Sequence, residues 1–203
     1  MSLKMAGAAL NWFAGVLIVL ASQQPARADN CPVTPVYNYY TVEGRTESEL
    51  EASLREKGPR DELGQVRFAY TDWTVKWNWK RGKGNLVDLD SVKITCLATI
   101  LLPKVAANNS MATDLVSAWE GFVERTRRHE LNHVSHIEQL APLIVSRIRK
   151  EAQSSSGVTI ERAQAIAKEV IAKIRAKDRE YDAATVHGKT EGTWRIIAFS
   201  KSP

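Results

Sequence analysis

The sequence predicts an α+β domain in which a small antiparallel sheet packs against two long helices, the first carrying a His-Glu-x-x-His motif. Three observations lead there. Stretches with strand character lie in the first half of the chain and long helical stripes in the second, an order that belongs to α+β folds. Phe68 to Trp79 alternates between two faces, as a half-buried strand does. From Thr113 onward the inward positions fall instead at alternating steps of four and three.

The chain opens with Lys4, an apolar run from Ala6 to Ala21 and a small-x-small site at Ala26-Arg27-Ala28. Residues 1–28 therefore read as a secretory signal peptide, with an uncleaved anchor as the alternative. The run is short and soon followed by Ser22-Gln23-Gln24, a poor fit to a membrane span. Residues 29–203 then form a single exported domain, long enough to bury its own core and without a stable membrane anchor once the leader is removed. The formal net charge is +5, of which Lys4 and Arg27 belong to the leader. A mild excess without long basic runs argues against a nucleic-acid partner. Only two cysteines occur, Cys31 and Cys96. An oxidising compartment favours a disulfide between them, the alternative being two free thiols. Neither has a second cysteine or histidine at metal-ligand spacing.

Tyr37 to Val42 is aromatic and β-branched and ends at Gly44, so it reads as a strand. Thr46 with Glu49-Leu50 resembles a capping box and opens a short helix that stops at Gly58-Pro59. In the next strand Trp73, Val75, Trp77 and Trp79 point one way, and Asp72, Thr74, Lys76 and Asn78 the other. The turn-rich Arg81-Gly82-Lys83-Gly84-Asn85 follows, then a strand from Val92 to Leu102 closed by Pro103 and paired antiparallel with its predecessor. The long helix carries Leu115, Trp119, Phe122, Thr126, His129, His133, His136 and Leu140 on one stripe, and Pro142 kinks or ends it. After Ser154-Ser155-Ser156-Gly157 a second long helix starts near Thr159, with Ala163, Ile166, Val170, Ile174 and Tyr181 as its stripe. Thr193 to Phe199 reads as a last short strand.

The chemistry concentrates at His129-Glu130-Leu131-Asn132-His133. Residues four apart share a helix face, so two imidazoles can grip one Zn²⁺ while Glu130 takes a proton from a water on it. A catalytic zinc takes three protein ligands and keeps one position open. His187, just past the second long helix, is the foreseen third ligand, with Asp182 as an alternative ligand or as the group that orients a ligand histidine. His136 lies seven residues from His129, about 10.5 Å along the axis, and reads as lining the cavity or standing behind the ligands. Tyr181 is a catalytic candidate, donating to a developing oxyanion, or else an ordinary packing residue.

The chain resembles the bacterial domain-of-unknown-function family 922, described as predicted secreted zinc-dependent proteases. The resemblance runs from Tyr40 to about Gly192. It rests on Tyr40-Thr41-Val42-Glu43-Gly44, Thr46, Glu49-Leu50, Gly58-Pro59, Ala69-Tyr70-Thr71-Asp72-Trp73, Trp77, Cys96, Leu102-Pro103, Trp119, His129-Glu130, His133 and Tyr181-Asp182 with Thr185 and His187-Gly188. It implies metal binding at His129 and His133, a catalytic Glu130, and a site that includes the Tyr181–Gly188 segment. The chain departs from the family pattern at Asn132, where a small residue is usual.

These readings converge on an exported zinc metallopeptidase, secreted or periplasmic, that hydrolyses peptide bonds of a peptide or protein substrate with Glu130 as general base. An exposed edge of the Phe68–Trp79 strand is the expected place for an extended peptide to pair. The competing expectations are a non-catalytic exported domain that binds metal, a partner or the cell wall, and a peptidoglycan amide hydrolase using the same zinc chemistry.

Overall fold

The computed structural model describes residues 30–61, 63–107 and 109–196. The foreseen signal peptide, residues 1–28, and residues 197–199 of the foreseen last strand lie outside these. The order of elements is β1 (Val36–Val42), α1 (Glu47–Lys57), β2 (Tyr70–Asn78), β3 (Lys93–Val105), α2 (Thr113–Leu140), α3 (Leu143–Ser154) and α4 (Ile160–Thr185). This is α+β architecture, one three-stranded sheet backed by long helices.

Local chemistry accounts for most boundaries. Thr46 caps α1 by accepting from the Glu49 amide, and Glu49 reaches back to the Thr46 amide, so two orphan donors are satisfied reciprocally. Along β2 the odd-numbered residues from Thr71 to Trp77 turn inward, as the alternation requires. Their indoles find partners: Trp73 Nε1 donates to Asp178 (2.9 Å) and Trp77 Nε1 to Gln164 (3.0 Å). Helix α2 ends at Leu140 because Pro142 has no amide hydrogen to continue the ladder, and α3 starts directly after it.

The sheet order is β1-β3-β2. The strands β2 and β3 pair antiparallel as expected, with Val75 opposite Cys96. Strand β1 instead runs parallel to β3, with Tyr37 opposite Ile100, so the sheet is mixed rather than purely antiparallel. The connection from β1 to β3 contains α1 and all of β2, long enough for the crossover that a parallel pair requires. Strand β3 also passes through Pro103 rather than stopping before it. Its partner β2 ends opposite Leu101, so Pro103 has a strand on one side only, where a missing donor is tolerated. The end of the chain departs from expectation too: residues 193–196 form a turn and a bend. Arg125 collects the carbonyls of Gly192, Arg195 and Ile196, which leaves them no ladder to join.

Two cores result. Beneath the sheet, Ile100, Ile137, Ile144, Ile148, Ile166 and Ile174 are fully buried between β3, α2, α3 and α4. Truncating one such isoleucine to alanine would cost about 2–5 kcal/mol. At the other end Leu50, Leu54, Phe68, Trp119 and Phe122 join α1 to the start of α2. Cys31 and Cys96 form a disulfide that ties the segment before β1 to the first third of β3. Among the described residues no helix is long and apolar enough to cross a membrane.

Candidate metal centre

Between the two cores the buried face of α2 turns polar: Thr126, His129, Glu130 and His133 are all enclosed. Burying charged groups costs free energy unless each finds a partner, and here each does. Helix α4 returns across α2 and presents Asp178, Tyr181 and Asp182 to that stretch. Asp182 Oδ1 lies 3.3 Å from His129 Nε2 and 3.3 Å from His133 Nε2. A tetrahedron with metal–ligand bonds of about 2.0–2.1 Å has edges of about 3.3–3.4 Å. The two distances to Asp182 match that edge, and His129, His133 and Asp182 form a group that could hold one metal ion.

The far sides of both rings support the same conclusion. His129 Nδ1 meets Glu191 Oε2 at 2.7 Å, and His133 Nδ1 meets Asp178 Oδ1 at 3.0 Å. A carboxylate only accepts, so Nδ1 of each ring carries the hydrogen, and in the neutral ring Nε2 keeps its lone pair facing Asp182. Carboxylates behind ligand histidines are the usual way a protein fixes tautomer and ring angle at a metal. Burial opposes protonation of His129 and His133, yet the carboxylate hydrogen bonds outweigh it. The pKa of His129 is raised, and that of His133 rises to about 10. Burial pushes the acid of Asp182 upward, but its hydrogen bonds to His129 and His133 hold it well below the usual carboxylate range. Raised imidazoles and lowered carboxyls thus support each other's charge, and a divalent cation would compete with the ring protons for Nε2.

Glu130 is the carboxylate beside this set. It is 6 % exposed, and Thr71 Oγ1 of β2 donates to its Oε2 at 2.6 Å. Burial raises its pKa, which favours a group that must accept a proton and later release it. Tyr181 stacks on the His129 ring, with centroids 4.9 Å apart. Its hydroxyl donates to Glu191 (2.8 Å) and accepts from Asn132 (2.7 Å). An oxyanion role for Tyr181 would require the bond to Glu191 to break. Asn132 thus buttresses the ring that backs His129.

His187 does not join the three-ligand group. Its Nε2 faces the Arg67 guanidinium at 3.2 Å, and its Nδ1 lies 3.7 Å from Asp182 Oδ2. Arginine always donates, so Nε2 is the acceptor there and the Nδ1 hydrogen is turned toward Asp182. The expected third imidazole stands behind Asp182, and Asp182, named as its alternative, holds the inner position. His136 also sits outside the first group: its Nδ1 meets Asp178 Oδ1 at 2.8 Å. His133, His136 and Asp178 form a second ligand-like group, but it engages the Nδ1 side of His133 that the first group leaves outward.

Asp178, Glu191 and Arg67 are contributors that the sequence reading did not single out, and Thr71 entered it only through the family resemblance, without a role. Asp178 lies four residues before Asp182, so helical spacing puts both on one face, a signal the stripe through Ile174 and Tyr181 overlooked. Thr71 lies on the inward face of β2 but nothing local marks it as a partner of α2. Glu191 arrives through a loop of unusual backbone. Val186, His187 and Gly188 all have positive φ, at 52°, 52° and 78°. Two of these are not glycine, and such strain persists only when the surroundings over-determine it. Here the His187 amide donates to the Asp182 carbonyl (2.7 Å), the Gly188 amide to Thr185 Oγ1 (3.0 Å), and Trp194 Nε1 to the His187 carbonyl (3.0 Å). A Cβ on Gly188 would fall 2.4 Å from Thr193 Oγ1 and 3.2 Å from His129 Nδ1, so only glycine fits there.

Comparison with curated proteins and with solved structures found no match. The profile of the family described as "Bacterial protein of unknown function (DUF922)" matches residues 37–188. That span runs from β1 to the glycine beside His129 and contains all three residues of the ligand group. By this match over well more than half its length, the chain belongs to the DUF922 family.

Proposed function

We propose that this protein is an exported zinc-dependent metallopeptidase, with His129, His133 and Asp182 as ligands and Glu130 as general base. One observation carries the reading: His129 and His133 each place Nε2 3.3 Å from Asp182 Oδ1, next to a buried carboxylate that follows the first histidine. Two nitrogens and one oxygen suit zinc, and three protein ligands leave a fourth position for water or substrate. Bound zinc supplies a Lewis acid for the scissile carbonyl and brings the pKa of water near neutrality.

The chain's own groups do the rest. Thr71 fixes one oxygen of Glu130, and the carboxylate takes a proton from the attacking water and returns it to the leaving amine. Glu191 and Asp178 keep the two imidazoles oriented, and Tyr181 and Asn132 hold Glu191 and the His129 ring in place. Strand β2 is an edge of the sheet and carries Thr71, so a peptide pairing with its outer side would pass close to Glu130. The disulfide supports export to an oxidising compartment, the periplasm or the cell exterior.

The test is zinc content together with cleavage of an unstructured protein such as casein. The native protein should hold zinc after dialysis and cleave casein, whereas Glu130→Gln should hold zinc and cleave nothing. Cleavage unchanged by Glu130→Gln would remove Glu130 from the chemistry. Stoichiometric zinc with no hydrolysis of peptides or peptidoglycan amides by the native protein would leave a non-catalytic metal-binding domain.

A further inference from the structure

A shallow cleft of about 320 Å³ lies between β2 and α4, lined by Trp77, Lys168, Ile171, Ala172, Arg175 and Arg179. Its apolar part is the Trp77 ring, held by the bond to Gln164, together with Ile171 and Ala172. Its polar part is a file of three exposed cations. On the same helix Arg162 is spent on Glu151 and Glu169, and Lys177 on Glu180. Among the described residues Lys168, Arg175 and Arg179 have no such acidic partner. Three uncompensated cations in one cleft repel each other and raise its potential for an anion.

The cleft lies on the same strand and helix that supply Thr71, Asp178 and Asp182 to the metal centre. Along β2, Trp77 touches α4 at Gln164, Trp73 touches it at Asp178, and Thr71 reaches Glu130. Between the two contacts with α4 the strand rises about 13 Å. The helix rises about 21 Å over the same interval, so the two walls cross at an angle. Arg179, at one end of the cleft lining, lies next to Asp178 and three residues before Asp182.

We propose that this channel binds an acidic segment of an extended polypeptide substrate, which pairs with the outer edge of β2 and sets its carboxylates against Lys168, Arg175 and Arg179. This rests on the peptidase reading for the cleavage step, but the binding step stands by itself. A polypeptide is the occupant that matches both walls, since the edge strand β2 offers main-chain donors and acceptors that neither a lipid surface nor a nucleic acid complements. Arg179, Arg175 and Lys168 precede Asp182 by about 4.5, 10.5 and 21 Å along the helix axis. The three cations span about 17 Å, the length of about five extended residues at about 3.3 Å each, so acidic side chains at alternate positions of the peptide face them.

The experiment measures binding of short fluorescent peptides, one rich in Glu and one with each Glu replaced by Lys, to zinc-loaded Glu130→Gln protein by anisotropy. The Glu peptide should bind at least about tenfold more tightly, and the difference should shrink at about 0.3 M NaCl. Adding Lys168→Glu, Arg175→Glu and Arg179→Glu together should reverse the preference while zinc content and melting temperature are kept. If that triple variant does not fold, Lys168→Gln and Arg175→Gln should each weaken the Glu peptide severalfold. Equal affinity for both peptides would overturn the proposal. So would a folded triple variant that keeps the original preference, or binding of phosphatidylglycerol vesicles without binding of the Glu peptide. A charge preference in binding with no cleavage by the native protein removes the peptidase reading alone, and cleavage with no charge preference removes the channel alone.

Discussion

Replacing Asp182 with alanine deletes the one oxygen that lies 3.3 Å from both His129 Nε2 and His133 Nε2. Groups that stand behind a ligand are worth about 10–100-fold in metal affinity when removed. A ligand itself must exceed that, so Asp182→Ala should weaken zinc by more than about 100-fold, roughly 2.7 kcal/mol. His187→Ala removes only a ring whose nearest approach to Asp182 is 3.7 Å and which shares its other nitrogen with Arg67. It should fall in the lower range, about tenfold. Competition against a chromophoric chelator at neutral pH reads both values from one titration series. The reasoning fails if the order inverts, with His187→Ala losing zinc and Asp182→Ala keeping it. That outcome would mean the loop swings inward on metal binding and that the distances around Asp182 do not define the ligand set.

Asp178 accepts from His133, His136 and Trp73 at once, so Asp178→Asn leaves donors competing for one oxygen and should lower zinc affinity about 10–100-fold with little change in far-ultraviolet circular dichroism. The Cys31–Cys96 bridge closes a loop of 65 residues, so converting both to serine should remove about 4 kcal/mol and lower the melting temperature by about 10–15 °C; an unchanged melting temperature would show that the bridge does not constrain the unfolded chain. Metal-free protein should show a stability dependence on pH set by the same cluster. His133 is raised from 6.5 to about 10, so its contribution is complete below pH 6.5 and is lost as pH rises through 10. The carboxyls of Asp178 and Asp182 are lowered from 3.8, so theirs is complete above that value and is lost as pH falls below it. Chemical denaturation of the chelated protein should therefore give its maximum between about pH 4 and 6.5, and a maximum above pH 8 would contradict the pairing.

The sequence by itself determined what local chemistry controls. Thr46 with Glu49 announced the start of α1, Pro142 the end of α2, and the period-two pattern around Trp73 and Trp77 the inward face of β2. His129, Glu130 and His133 were legible together because one turn of helix places residues four apart on one face whatever the rest of the fold does. Tertiary structure alone decided who faces them. The parallel pairing of β1 depends on a crossover that no local pattern encodes. Asp182 rather than His187 is the inner group because α4 crosses α2 at that turn. There three successive left-handed residues swing His187 out toward Arg67 and bring Glu191 in behind His129. Such contacts join residues far apart in the chain, such as Thr71 with Glu130, and their partners are set by how helices and strands pack rather than by their neighbours in sequence.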